Sequence, residues 1–179
     1  FGIKGLQLGL SGYGGKSQST LYKGIEKSDA TSIAMADSSV VGLTMLGIDA
    51  RYNLGGLSLR GQFNYGLISN SLQYNEFAAS DLGSTMAGWY AEVAYNVFHS
   101  AEGLKTELIP FVRFEQYNTH ASVEPGTTLD PSFDRSDFTF GLGWKLTRGA
   151  MLKADYQVFK NRGPGDSKQQ FNMGVAVWF

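Results

Sequence analysis

Charged and amide side chains recur at alternate positions in several segments of the chain. They are Asp49, Arg51, Arg60, Gln62, Glu92, Arg113, Glu115, Lys145, Lys153 and Asp155. Side chains two residues apart share one face of a β-strand, so these segments predict strands with one polar face. Because acids and bases are nearly balanced, this face could either hold internally paired charges or line a water-filled lumen and contact dissolved solutes.

The opposite face of the same strands is apolar. Residues 57–67 show this most clearly, because Leu59, Phe63 and Leu67 alternate with polar side chains. The alternation predicts eight strands, at residues 3–12, 40–52, 57–67, 86–97, 105–117, 138–146, 151–159 and 171–179. We therefore expect an all-β chain with its strands in antiparallel up-and-down order, and Pro110 near the entrance of its strand or at a bulge.

The connections between these strands alternate in length. The first, third and fifth are long and polar, whereas Asn53–Gly56, His99–Gly103 and Thr147–Ala150 are short. Bacterial outer-membrane barrels have long loops at the extracellular rim and short turns at the periplasmic rim. The pattern therefore predicts a transmembrane β-barrel whose last strand ends at the periplasm.

The end of the chain has a pattern of its own. Phe171, Met173, Val175, Val177 and Phe179 fall on one parity, and the chain stops on an aromatic residue. The last octet resembles the insertion signal of outer-membrane β-barrels at four positions, Asn172, Gly174, Val177 and Phe179. The resemblance implies the barrel-assembly machinery as a partner and the outer membrane as the location. The alternative is an edge strand that ends a soluble sheet.

Aromatic residues occur at both ends of the predicted apolar faces. Those expected near the two rims are Tyr52, Tyr65, Trp89, Tyr95, Phe138, Trp144 and Phe171. Two such belts are typical of proteins that meet both interfaces of a bilayer. They predict contact with outer-membrane lipid. A water-soluble barrel would instead turn its apolar face inward and cover its outside with the charged residues.

Four segments, GWYAEVAYNVF, LIPFVRFEQYNT, DRSDFTFGLGWK and MLKADYQVFKNRGPGDSKQQFNMGVAVWF, resemble the C-terminal part of Gram-negative porins of the phosphate-selective porin O/P-like group. The resemblance implies that residues 1–179 are a single-domain, C-terminal portion of a larger barrel of about 16 strands. It also implies passive diffusion of small hydrophilic solutes. Phosphate selectivity does not follow, because no cluster of inward Lys or Arg is free of neighbouring acids.

The strand count decides between two functions. A closed barrel of about eight strands has an interior that its own side chains fill. The charged residues would then form a plug, and the protein would be a structural or adhesive barrel that acts through its extracellular loops. In a larger barrel the same residues would line a channel.

Other chemistry has weaker support. His120 and Ser122 are spaced to share one strand face, predicted to be the outward one, and are similar to the His-x-Ser pair of outer-membrane lipid A deacylases, in which His is the base for a Ser nucleophile. We expect two ordinary polar residues here and no enzyme. Lys16, Lys23 and Lys27 could contact lipopolysaccharide phosphates.

Composition excludes several classes of protein. The 179 residues carry a net charge of −1, which gives no indication of nucleic-acid binding. They include no cysteine, so a disulfide framework and a thiolate metal site are excluded. No run of 18 apolar residues predicts a membrane-spanning helix. No metal site and no cofactor are expected.

Overall fold

The computed structural model describes residues 2–26 and 28–178, and eight strands dominate them. The strands are β1 (Leu6–Ser17), β2 (Val41–Leu54), β3 (Leu57–Ser69), β4 (Thr85–Tyr95), β5 (Glu107–Ser122), β6 (Asp134–Thr147), β7 (Ala150–Asn161) and β8 (Lys168–Val177). All eight predicted strands are present. The all-β class is confirmed.

Every strand pairs antiparallel with its neighbour in sequence, which gives one sheet in the order β1 to β8. The up-and-down topology is thus confirmed as well. Within the described residues, β1 pairs with β2 alone and β8 with β7 alone. The sheet is open, with two free edges.

Three strands extend at one end by four or five residues beyond the segment that their alternation predicts. β1 continues to Ser17, β5 continues to Ser122, and β6 begins at Asp134. In β1 the added residues include Gly14 and Gly15, which show no apolar alternation but pair with Thr44 and Leu43 of β2. Backbone pairing therefore extends beyond the segment that side-chain periodicity identifies.

The connections define two rims of the sheet. The turn rim holds the connections after β2, β4 and β6, and the loop rim holds those after β1, β3, β5 and β7. Residues 55–56 join β2 to β3 and residues 148–149 join β6 to β7, so two short turns are confirmed. Gly55 has the expected positive φ of 57°.

The predicted short turn after β4 is wrong. Residues 96–106 join β4 to β5, a connection as long as residues 123–133 between β5 and β6. Asn96 ends β4 early because its side chain accepts a hydrogen bond from the Phe98 N–H at 3.1 Å and starts a local turn. The length contrast between the two rims is therefore weaker at this connection.

Two long connections of the loop rim contain helices that the polar sequence did not predict. Helix α1 (Ala30–Ser38) begins after Asp29, whose carboxylate accepts from the Ser32 N–H at 3.0 Å. Helix α2 (Ser71–Ala78) lies between β3 and β4. No helix of the described residues is long and apolar enough to cross a membrane.

Pro110 is the fourth residue of β5 and lies one position before Phe111, the nearest β5 residue in register with β4. This position near the strand entrance confirms the expectation. The Val97 N–H donates to the Leu108 carbonyl at 2.9 Å, so the missing N–H of proline falls between that bond and the regular ladder, which starts at Phe111.

The sheet has an apolar face that no described residue covers. Few apolar residues are buried, namely Ala36, Val41, Ile68 and Ala94. In contrast, Leu10 is 81% exposed and Met173 is 78% exposed, at the two edges of the sheet. Large apolar side chains such as Phe63, Trp89 and Phe140 are also exposed in its middle. The described residues by themselves thus form no extensive apolar core.

Candidate functional site

The ten charged and amide residues singled out in the sequence lie on one face of the sheet, called here the polar face. Register shows this directly: Asp49 pairs with Gln62, Arg60 with Glu92, and Glu92 with Arg113. Antiparallel partners point to the same face, so strand after strand adds to one surface. The other members, Arg51, Glu115, Lys145, Lys153 and Asp155, have the same parity as these on their strands.

Charges on the polar face are sorted into two neighbouring rows. One row contains three arginines, Arg51, Arg60 and Arg113, with Glu92 between the last two. The next row towards the loop rim contains three carboxylates, Asp49, Glu115 and Asp137. The surface is thus not uniformly mixed. It carries a basic row beside an acidic one.

Ion pairs join these charges only in part. Glu92 lies 3.7 Å from Arg60, and Lys145 Nζ lies 2.7 Å from Glu107 Oε1. Within the described residues, Arg51 has no ion-pair partner, although Arg60 stands directly opposite it. Like charges in opposed positions destabilise a strand pair. The charge of Arg51 is therefore not compensated by an ion pair, and that of Arg60 is compensated only by Glu92.

Two cations of the polar face, Arg113 and Lys153, lie over aromatic rings. The Arg113 guanidinium carbon lies 4.0 Å from the centre of the Tyr90 ring, and Lys153 Nζ lies 4.8 Å from that of Phe111. Arg113 Nε is 2.8 Å from Glu115 Oε2, but the angle between them is too poor for a hydrogen bond. We therefore regard Arg113–Glu115 as an ion pair without a well-formed hydrogen bond.

The polar face is the more covered face of the sheet along β6. Along β6, Asp137 and Thr139 are 5% and 6% exposed, whereas their neighbours Phe138 and Phe140 are 37% and 50% exposed. A flat open sheet would expose both faces alike. The alternation shows that the sheet curls towards its polar side.

One cavity supports this curvature. A hollow of about 170 Å³ is lined by side chains of β3 to β7, among them Arg60, Phe111 and Lys153. In a flat sheet, strands β3 and β7 would be about 19 Å apart, from a strand spacing of about 4.8 Å. Side chains from both strands reach one hollow because the polar face is concave.

The predicted aromatic residues lie on the apolar face. Tyr52, Tyr95 and Trp144 are at the turn rim, and the Trp144 indole N–H donates to Thr106 Oγ1 at 2.9 Å. Tyr65, Trp89, Phe138 and Phe171 lie nearer to mid-strand than expected, because β5 and β6 extend further towards the loop rim. Trp89 contacts Phe114, which contacts Phe138, so one aromatic row crosses three strands.

Strand β8 carries three of the four predicted assembly residues, Asn172, Gly174 and Val177. Phe179 lies outside the described residues. The Asn172 side chain donates to Asp155 Oδ1 at 2.8 Å on the polar face, while Val177 is exposed on the apolar face. The edge strand is therefore linked to the charged surface through its asparagine.

His120 is buried, although the predicted parity placed it on the outward face. Its side chain is 2% exposed and lies in the stretch from Asn118 to Ser122, where the β4–β5 register is irregular. Both ring nitrogens contact backbone atoms: Asp130 N–H donates to Nδ1 at 3.0 Å, and Nε2 lies 2.5 Å from the Asp81 carbonyl oxygen. The ring thus joins the connections after β3 and β5.

Ser122 is engaged elsewhere. Its hydroxyl lies 2.6 Å from Thr85 Oγ1 and 3.0 Å from Ser84 Oγ. Since His120 has no ring nitrogen left for it, this arrangement cannot act as a base and nucleophile pair without rearrangement. Within residues 2–26 and 28–178, no group of His, Cys, Asp and Glu could hold a metal ion.

Further contacts strengthen the loop rim. The Asn75 side chain of α2 accepts from the Leu82 N–H at 2.7 Å and lies 3.4 Å from Thr127 Oγ1. Asn70 donates to the Val40 carbonyl at 3.2 Å. Lys16 and Lys23 are exposed in this part of the molecule, and Lys27 lies outside the described residues.

Sequence reasoning missed Glu107 and Asp137 on the polar face. Glu107 pairs with Lys145, and Asp137 stands opposite Glu115. Both fit the strand parity, but they lie at strand ends. The predicted strand at residues 138–146 stops one residue short of Asp137. Glu107 lies among the first residues of the predicted strand at 105–117, which were given no weight. Extending the alternation by one step would have identified Asp137.

Comparison with known proteins gives one partial relationship. The chain is 38% identical over 83 residues to an uncharacterized protein of Aquifex aeolicus (strain VF5). Those residues are 45% of this chain and 19% of the relative, so the match spans about a fifth of a protein more than twice as long. No family model matches the chain, and no solved structure matches it.

Proposed function

We propose that this chain is part of an outer-membrane porin, a transmembrane β-barrel through which small hydrophilic solutes diffuse passively. The observation that carries the proposal is the opposite exposure of the two faces. Apolar side chains are exposed on the convex side, and charged side chains cover the concave side. A soluble sheet buries its apolar face, whereas a barrel in a bilayer turns it to lipid.

The free edges support a barrel larger than these eight strands. Unpaired backbone groups of β1 and β8 would be costly in a bilayer, and the two edge strands do not pair with each other in the described residues, so we propose that further strands pair with them. The greater length of the Aquifex relative is compatible with a longer barrel. We therefore propose about 16 strands in all, with the polar face lining a water-filled lumen.

The partners follow from this location. The aromatic row and the turn-rim aromatics would contact lipid, and the exposed lysines of the loop rim would lie near lipopolysaccharide. The barrel-assembly machinery would bind the last strand, at Asn172, Gly174, Val177 and Phe179. Charged residues of the polar face would set the selectivity of diffusion.

The test is reconstitution of the full-length protein into liposomes. Uptake of uncharged sugars should rise with protein content, and brominated lipids should quench the fluorescence of Trp89 and Trp144, which lie on the exposed apolar face. Absence of quenching would exclude the membrane assignment. Quenching without sugar uptake would exclude the porin function alone.

A second function is favoured by the loop rim. Hydrogen bonds from His120, Asn75 and Asn70 link the long connections after β1, β3 and β5, which gives an ordered surface of the kind that binding requires. A complete eight-stranded barrel that acts structurally or adhesively through its loops would use this surface. A strand count from a low-resolution map of the protein in detergent separates the two: eight closed strands favour loops, and 16 or more favour a channel.

A further inference from the structure

A row of four residues crosses the polar face near the loop rim. Asn64 on β3 pairs with Gly88 on β4, Gly88 pairs with Tyr117 on β5, and Tyr117 pairs with Arg135 on β6. This row lies one step beyond the carboxylate row described above, towards the loop rim. It places an aromatic ring directly beside a guanidinium group.

Glycines make room for an apolar hollow on the β3–β4 side of Tyr117. A Cβ on Gly66 would lie 2.6 Å from Met86 Cγ, and a Cβ on Gly88 would lie 2.9 Å from Tyr117 Cβ. Both distances are too short, so the two larger side chains occupy space that only glycine leaves open. Met45, Met86 and Tyr117 thereby line a hollow of about 190 Å³.

This apolar patch is unusual for its position. Methionine is a flexible, polarizable side chain that adapts to irregular apolar groups and contacts aromatic rings favourably. Two methionines and a tyrosine among the amides and charges of the polar face provide a surface for a ring or a short alkyl group. The hollow is larger than the roughly 150 Å³ cavity that holds benzene in an engineered protein.

A charged hollow lies on the other side of the same tyrosine. Its volume is about 330 Å³, and its lining includes Arg135, Lys160 and Lys168 together with Asp137 and Asp166. None of these three cations lies within 4.0 Å of a carboxylate oxygen of the described residues, but Arg135 attracts Asp137 over a longer distance. Lys160 stands opposite Ser136 on the other parity of β7, so Arg135 and Lys168 are the two cations that this face offers to an anion.

Asp137 has a different role from the cations. Its side chain is buried and interacts with the Tyr117 side chain and with the backbone of Lys160. We interpret it as a residue that positions Tyr117 between the two hollows. Arg135 is fixed on its other side, where Nε donates to the Ser132 carbonyl at 3.3 Å.

We propose that the two hollows form one binding site for a small organic anion with an aromatic or compact apolar group. The negative group contacts Arg135 and Lys168, and the apolar group lies against Tyr117 and Met86. Inorganic phosphate lacks the apolar group, and an uncharged aromatic compound lacks the negative group. The site rests on the proposed function in one respect, since it assigns a solute class to the face that would line the lumen.

The experiment is calorimetric titration of the full-length protein in detergent with benzoate, acetate, benzyl alcohol and phosphate, each against protein-free micelles. Benzoate should bind at least about tenfold more tightly than each of the other three, a difference expected when both parts of a ligand are recognised. Equal affinities for benzoate and acetate, or tightest binding of phosphate, would overturn the proposal.

Variants locate the site. Met86→Ala should weaken benzoate binding and leave acetate binding unchanged, whereas Arg135→Gln should weaken both. Arg148→Gln, in the turn between β6 and β7 at the opposite rim, is the matched control and should change neither. Equal loss in Arg135→Gln and Arg148→Gln would show a general charge effect and overturn the site.

The result is separable from the porin function. If sugars enter liposomes but benzoate does not bind, the site is wrong and the channel stands. If benzoate binds but sugars do not enter, the site stands on a barrel that does not conduct.

Discussion

The backbone N–H of Asp130 donates a hydrogen bond to Nδ1 of His120 at 3.0 Å. Because Nδ1 accepts, the proton of the neutral ring must be on Nε2, which then donates to the Asp81 carbonyl. The buried His120 side chain therefore joins two connections of the loop rim. Its partners are backbone atoms, so they do not depend on the side chains at positions 81 and 130.

Replacement of this ring should loosen the loop rim. His120→Ala removes the ring partner of the Asp130 N–H and of the Asp81 carbonyl, at a cost of about 1–3 kcal/mol for each group that stays shielded from water. We expect faster proteolysis within residues 79–84 and 123–133 of the folded protein. His99→Ala, in the exposed connection after β4, is the control and should leave the cleavage rate unchanged. Equal protection in both variants would contradict the role of His120.

Helix α1 should lose its N-terminal cap in acid. Hydrogen bonds from Ser32 to the Asp29 carboxylate hold the pKa of Asp29 below its ordinary value of 3.8. A lowered folded-state pKa means that the stabilisation is complete above that ordinary value and is lost as the pH falls through the folded-state pKa. Hydrogen exchange of the α1 amides should therefore rise only in strong acid.

A control variant isolates the cap. Asp29→Asn keeps a side-chain oxygen that can accept from the Ser32 N–H, but it cannot titrate. In this variant the exchange of the α1 amides should not change over the same acidic range. The same acid response in both proteins would show that another group is responsible.

The apolar face should reject a charge. Phe140 is half exposed near the middle of β6, and Phe140→Lys should destabilise the protein by about 2–4 kcal/mol in vesicles if this position faces the bilayer centre. Gln157→Lys is the matched control, since Gln157 stands opposite Thr139 on the polar face and should tolerate a lysine. Equilibrium unfolding in urea measures both. A small effect of Phe140→Lys would place this face in water.

The arginine row should influence ion selectivity. Arg60 is opposed to Arg51 and only distantly paired with Glu92, so Arg60→Glu removes a like-charge opposition and reverses one charge of the row. We expect reversal potentials across planar bilayers to shift towards cation preference. Arg148→Glu makes the same change of charge away from the row and should shift them less. Equal shifts would show that net charge, not position, controls selectivity.

The terminal residues should act in assembly more than in stability. Phe179→Ala should slow insertion by the assembly machinery and have a smaller effect on the unfolding of the inserted barrel. Val175→Ala, on the same parity of β8, provides the comparison for loss of apolar surface. Equal and large losses of insertion and of stability in Phe179→Ala would oppose the signal interpretation.

Strand identity and facing could be predicted because they depend on a local period of two. Arg60, Glu92 and Arg113 were assigned to one face from their own strands, and the register joins them as expected. Strand ends were less predictable. Gly14 and Gly15 carry no side-chain pattern, and their pairing depends on the partner strand.

The loop rim could not be predicted for a different reason. The buried His120 ring has as partners the Asp81 carbonyl and the Asp130 N–H, which belong to two different connections and lie 39 and 10 residues away in sequence. The hollow beside Tyr117 likewise depends on glycines of two other strands. Such features arise where residues of different strands and connections meet. The alternation within one segment does not predict them.

Because each strand pairs only with its neighbours in sequence, a hairpin could be added to or removed from the sheet as one unit. Inserting or deleting one hairpin would leave every other register unchanged and would alter the girth of the sheet by about 9–10 Å, from two strand spacings. Homologous chains of different length could therefore enclose lumens of different diameter while keeping the same alternation of polar and apolar residues in each strand. The same arrangement would let a duplicated hairpin fold beside its parent without any new long-range contact.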